Sequence, residues 1–433
     1  MKKCDRIICA ILWLKLPGIA TTIPPDQKIK ALAGYPKIGN ISLDLPVLIS
    51  GNSQPSTVIM KLNTAKIVHS VHPGKIILPL LIGIGVAIYI FTREGSLKAL
   101  TSIQFSPLVV IFLVMAALMI VGRITGYVIR LRVLSEGKLS IIGAIRIVLL
   151  WEFSSAVTPS AVGGTSVALL FLYKEGLSIG KGSAIVLATL FLDELYFVLV
   201  FPLVVLLVGW TSLFELSASS TIDLMQNKYF YFALAGYSVM LFIALLVGYG
   251  LFINPHALKK FIVLIFSLPG LRKWKQGAIN QGNEIVKASK HLSNKPFKFW
   301  LKGFGATALS WTSHYLVVNF LVLALIYGIK GNAEPHLLSI VEHFNIYARQ
   351  LVLWIMMMVM PTPGGTGISE MIFMEYMKIF IPVGFVSLMT VIWRLFSYYP
   401  YLFIGAVILP GWIKKSFLGH NQEEISDDEE EAK

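Results

Sequence analysis

Long apolar runs follow one another down this chain, and they decide what it can become. Residues 76–91, 107–134, 183–210, 229–252, 299–327 and 383–412 are each dominated by aliphatic and aromatic side chains. About 20 apolar residues suffice to cross the hydrocarbon of a bilayer, and most of these runs reach that length. One water-surrounded core in a 433-residue chain cannot hide so many of them. Composition agrees: 14% of residues are charged, where globular chains carry about 25%. The same numbers exclude disorder, collagen, coiled coil and a disulfide scaffold. In lipid the backbone must satisfy its own hydrogen bonds, so the runs are read as helices.

Charge has to be read by position. There are 37 Lys and Arg against 23 Asp and Glu, a net of +14, which in a soluble domain would suggest nucleic acid. Seven of the acids lie in the last thirteen residues, and without that tail the net is +20. The cations flank the apolar runs, which is the positive-inside pattern and excludes a nucleic-acid footprint. The interval 254–298 holds nine cations and one acid, Glu284, and is expected on the cytoplasmic side. Arg130, Arg132 and Lys138 and the C-terminal end belong there too, while 211–228, with one cation, belongs outside. Phe261, Ile262, Leu264, Ile265 and Phe266 stand among the lysines of 254–298, as in an amphipathic helix lying on an anionic leaflet.

Residues 1–59 lack this pattern and are expected to be a disordered or artefactual extension, with Met60 as a natural start. Lys2, Lys3 and Arg6 precede a short apolar stretch, but Lys15 interrupts it and no clean cleavage site follows. Cys4 and Cys9 have no metal or redox spacing. Residues 416–433 form an acidic, solvated tail.

Two further apolar stretches are interrupted. Residues 141–173 break at Thr158-Pro159-Ser160-Ala161-Val162-Gly163-Gly164, and 337–380 break at Pro361-Thr362-Pro363-Gly364-Gly365-Thr366-Gly367. The Lys/Arg sidedness of the loops is consistent only if each stretch enters and leaves on one face. The expected fold is therefore all-α: a polytopic integral membrane protein of about six transmembrane helices plus two re-entrant half-helix hairpins in inverted repeat. At a lag of 201 Gly163-Gly164-Thr165 maps onto Gly364-Gly365-Thr366, Thr189 onto Thr390 and Asp193 onto Arg394. Each break also has an arginine twelve or thirteen residues before its proline, Arg349 and Arg146.

Proline removes a backbone donor, and loose backbone at membrane depth is tolerated only inside protein or around a wet cavity. Helices restarting after such breaks point N–H groups and a positive dipole end at the protein's middle, which suits an anion such as phosphate. Broken helices meeting near the midplane are a transporter arrangement. The candidate substrate-binding residues are Pro159, Gly163, Gly164, Thr165, Pro361, Pro363, Gly364, Gly365, Thr366, Gly367 and Glu370. The competing reading is that Pro and Gly merely kink and pack membrane helices, and that Glu370 caps a helix start.

Ionisable side chains within spans are costly and seldom face lipid. Glu152, Asp193, Glu194, Arg349 and Arg394 are the candidates for charge relay or gating. Asp193 and Arg394 occupy equivalent places in the two halves and are expected to pair across the pseudo-twofold axis. Arg123 and Arg130 are expected to snorkel towards an interface. His314 is read as an interhelical hydrogen-bonder. Metalloprotease, serine-hydrolase and P-loop signatures are lacking, and no cofactor or metal is expected.

The segment 151–164, then Leu192-Asp193-Glu194, then Pro361-Thr362-Pro363-Gly364-Gly365-Thr366-Gly367-Ile368-Ser369-Glu370 resembles the flippase-like transmembrane domain of lysylphosphatidylglycerol synthases. The resemblance covers roughly 75–415, so that domain is expected over 60–415. The P-x-P-G-G-x-G-x-x-E motif is present in full, whereas Gly164-Thr165-Ser166-Val167-Ala168 departs from a Gly-Glu-x-x-Arg pattern seen in many relatives. The resemblance implies translocation of phospholipid or a lipid-linked substrate across a bacterial inner membrane, with the C-terminus cytoplasmic and membrane lipids as partners. In two-domain members a soluble domain performs aminoacyl transfer, and this chain ends shortly after its last span. The alternative is the membrane part of an aminoacyl-phosphatidylglycerol synthase system, lysyltransferase-related, working with a separate synthase partner. Self-association is left open.

Overall fold

The computed structural model describes residues 96–157, 161–215, 227–272, 275–330, 338–359, 365–382 and 384–413, plus positions 85, 88 and 92. All of these lie within the unit Val71–Lys433. Residues 1–59, the tail 416–433 and, apart from two positions, the run 76–91 lie outside the described residues.

The described elements are helical. They are α1 (Ser96–Thr101), α2 (Pro107–Leu134), α3 (Ile141–Val157), α4 (Ala161–Lys174), α5 (Ile179–Val208), α6 (Trp210–Phe214) and α7 (Lys228–Gly248). A π-helical turn, Tyr249–Ile253, ends α7. Then come α8 (Pro255–Ile265), α9 (Lys275–Ser293), α10 (Phe297–Gly328), α11 (Ile340–Met357), α12 (Ile368–Met377), α13 (Val386–Ser397) and α14 (Tyr399–Ile413). Among the described residues, five helices are long and apolar enough to cross a membrane: Pro107–Leu134, Gly180–Val208, Lys228–Ile253, Phe297–Gly328 and Val386–Trp412. These coincide with five of the six runs in the sequence.

Local chemistry sets the ends. Ser106 and Ser178 cap α2 and α5 by accepting from Val109 N and Lys181 N, each at 3.3 Å. Ser339 and Glu342 close a reciprocal capping box on α11. Pro202 inside α5 cannot donate to Val198, and the Tyr237 hydroxyl on α7 donates to that carbonyl instead, at 3.2 Å.

Both interrupted stretches fold back on themselves. In the first, Arg146 near the start of α3 donates to Glu175 just beyond α4, at 2.7 Å. In the second, Arg349 of α11 donates to the Tyr376 carbonyl near the end of α12, at 2.9 Å. Glu175 and Tyr376 are themselves 201 residues apart, the lag that relates the two glycine pairs.

The closest helix pairing is α2 against α10, the first span of each repeat. Gly122-x-x-x-Gly126 on α2 makes it: a Cβ on Gly126 would stand 2.7 Å from the Ala306 carbonyl oxygen. Small residues bring membrane helices together where water-driven burial is lacking. The Ser310 hydroxyl then reaches across and donates to the Arg123 carbonyl at 2.9 Å.

Helix α9 is moored to the body through Glu136, in the α2–α3 turn. Its carboxylate takes Lys295 at 2.7 Å, His291 at 2.9 Å and Lys181 at 3.2 Å. Hydrogen bonds from His291 and then Lys295 hold its carboxyl at about 2, below the ordinary 4.5.

Candidate functional site

The site is built around the two helix breaks. Pro159, Pro361, Pro363 and Gly364 lie outside the described residues, as do the side chains of Gly163 and Thr165. Gly164 and Gly365, equivalent by the repeat, each lie against the other arm of their hairpin. A Cβ on Gly164 would meet Ser155 Oγ at 2.0 Å, and one on Gly365 would meet Met357 Cε at 1.9 Å. Gly365 and Gly367 also adopt φ of +70° and +89°, where other residues are strained.

At the second break Glu370 is fully engaged. Its Oε2 accepts from the Gly367 amide at 2.7 Å and the Ser369 hydroxyl at 3.0 Å, and its Oε1 accepts from Arg394 Nε at 2.7 Å. Both partners of the ion pair are buried. The carboxylate thus supplies the negative charge that the start of α12 favours. The helix-cap reading of Glu370 is the one its hydrogen bonds show.

Arg394 stacks over Trp393 and Tyr398, at 4.7 and 5.0 Å from the ring centroids. Tyr398 stands at the joint between α13 and α14, and its hydroxyl donates to the Ala156 carbonyl at 3.0 Å. Ala156 is next to last in α3, so this bond ties the charged network of the second hairpin to the edge of the first break. Thr366 lies between Gly365 and Gly367 and is half-buried.

A second charged group occupies the first repeat. Arg123 and Arg130 lie seven residues apart on α2, with Tyr127 between them under both guanidinium groups, at 5.1 and 4.5 Å. Arg123 Nη2 donates to both oxygens of Glu152, at 3.0 and 3.2 Å. Arg130 Nη1 donates to Asp193 at 2.5 Å and to the Thr307 hydroxyl at 3.2 Å, and the Trp311 indole donates to the same Asp193 oxygen at 2.7 Å.

Two expectations are corrected here. Asp193 pairs with Arg130, and Arg394 with Glu370, so the expected Asp193–Arg394 couple is not formed. Sequence equivalence places two residues on corresponding helices; rotation of each helix decides which neighbour they meet. Arg123 and Arg130 do not snorkel either: both are buried, because each finds a carboxylate within reach. Glu194 is buried beside this group, with one carboxylate oxygen lacking a hydrogen-bond partner. His314 packs edge-on to Trp311 and close to Tyr315 and Trp354, and its ring makes no hydrogen bond among the described residues.

Arg349 is 1% exposed and joins three pieces of chain. Besides Tyr376 it donates to the Ser212 and Glu215 carbonyls at the end of α6, both at 2.6 Å. A cation there complements two helix C-termini at once. It positions the second hairpin.

Sequence reasoning missed Tyr398, Trp311, and Arg123 and Arg130 as bonded partners. Of these, Arg123 alone left a signal, the G-x-x-x-G that encloses it. Among the described residues, no group of three His, Cys, Asp or Glu could hold a metal ion.

Residues 76–405 match the family described as the lysylphosphatidylglycerol synthase TM region. The UPF0104 membrane protein of Archaeoglobus fulgidus is 24% identical over 324 residues, which cover 72% of this chain and 90% of that one. No solved structure matches the chain.

Proposed function

The chain belongs to the lysylphosphatidylglycerol synthase transmembrane-region family, and on that premise we propose that it moves phospholipid or a lipid-linked substrate across its host membrane. One observation carries the reading: Tyr398, stacked beside the Arg394–Glu370 pair that caps the second break, hydrogen-bonds the last turn of α3 at the edge of the first. Interrupted helices of paired repeats meeting at a polar site are what a transporter needs for alternating access.

On this reading the start of α12, which already holds the Glu370 carboxylate, is a fixed support and not the headgroup's own site. The headgroup would pass beside the end of α3. Glu152, one helical turn before Ala156, gives that path charge.

Vesicles of native lipids carrying the purified protein and a headgroup-labelled phospholipid test this. The expected result is protein-dependent exposure of inner-leaflet label to an impermeant quencher. No movement of any native phospholipid or lipid-linked headgroup would overturn it.

A further inference from the structure

The buried arginines differ in how far their donors are used. A guanidinium carries five N–H donors. Arg349 uses both terminal nitrogens on three backbone carbonyls and leaves only Nε over, and Arg394 is locked to a carboxylate whose oxygens are both engaged. Arg123 uses Nη2 alone, while its Nε and Nη1 have no partner although the side chain is only 5% exposed. Three rings, Tyr127, Trp311 and Tyr401, lie 5.1, 5.1 and 5.8 Å from it and fix the orientation of the guanidinium.

Its counter-ion is the accessible member of the pair. The Glu152 side chain is 19% exposed against 5% for Arg123, and charged groups within spans face protein or a water-filled path rather than lipid. Glu152 stands between that exposed side and Arg123. It also lies one helical turn from Ala156, the end of the first break that Tyr398 grips.

We propose that Arg123 is an anion-binding residue, taking a phosphate-type oxyanion on its free N–H edge in place of Glu152. A planar guanidinium fork matches two oxygens of a tetrahedral phosphate, and the aromatic cover holds it in one orientation. Glu152 is then the internal competitor that fills the site between ligands. The same chemistry serves a lipid phosphodiester and free phosphate. The inference deepens the proposed function, resting on it for the headgroup as the natural ligand.

Equilibrium binding to the purified full-length protein in detergent tests this, read by the emission of Trp311 with W311F as the signal control. The probes are inorganic phosphate, dihexanoyl phosphatidylglycerol and, as a phosphate-free control, dihexanoyl glycerol. Wild type is expected to bind an anionic probe and not the control. R123K should bind about tenfold more weakly, through loss of the fork, and R123Q not measurably. E152Q removes the competitor and should bind several-fold more tightly, whereas a merely structural pair predicts weaker or unchanged binding. Binding of the lipid alone assigns the site to headgroups; binding of both probes assigns it to phosphate in general. If R123Q fails to fold, E152Q decides. Equal binding by folded R123Q and wild type, no gain in E152Q, or no binding of either anion by wild type overturns the proposal. Translocation in vesicles is measured separately: movement without Arg123-dependent binding sinks this site alone, and binding without movement sinks the transport reading.

Discussion

At the scale of single residues, the buried ion pairs join side chains within one half of the chain. This revises what charge-swap experiments should show. Reversing Asp193 together with Arg130 should restore folded yield lost in either single reversal, while reversing Asp193 together with Arg394 should not; size-exclusion of the expressed variants reads the difference. Glu370→Gln leaves Arg394 buried without its charge partner and should cost about 3–5 kcal/mol in a denaturant titration. Tyr398→Phe removes one buried hydrogen bond and strands the Ala156 carbonyl, a loss of about 1–3 kcal/mol by thermal unfolding in detergent. Which carboxylate each arginine meets was not legible in the sequence. Adjacent helical positions differ by about 100° in direction, so one lag cannot say which side chains converge.

At the scale of elements, the breaks were the most legible feature. Proline and paired glycines inside apolar stretches announce them, and the structure places the arms of both hairpins side by side. Arg146 and Arg349 were visible as a matched pair, and each bonds to the far arm of its hairpin, at positions 175 and 376, one repeat lag apart. Their environments differ: Arg146 is partly exposed and holds one carboxylate, while Arg349 is enclosed by backbone carbonyls. The α2–α10 pairing should be sensitive to bulk. Gly126→Leu would drive a side chain into the Ala306 backbone and should cost about 1–3 kcal/mol or abolish folding, by thermal unfolding in detergent. The mooring of α9 should depend on acid. Glu136 titrates lower in the folded protein than in the unfolded chain, so its contribution is complete above about pH 4.5 and fades as pH falls towards about 2. Hydrogen exchange along 275–293 should accelerate over that window in wild type and be already fast at neutral pH in Glu136→Gln.

At the scale of the whole molecule, the apolar runs that make this a membrane protein also leave few places for charge. The charges that remain lie along two ladders, one per half, joined where Tyr398 reaches the end of α3. Membership of a membrane-domain family agrees with that architecture. The central claim is that headgroups pass where the end of α3 meets the α13–α14 joint, which requires that contact to open. A short reducible dithiol-specific cross-linker placed across it tests the claim directly: Ala156→Cys with Tyr398→Cys, after replacement of Cys4 and Cys9, in vesicles carrying labelled phospholipid. Translocation should stop when the pair is cross-linked and resume on reduction. An equal rate in the cross-linked and reduced protein would contradict the account.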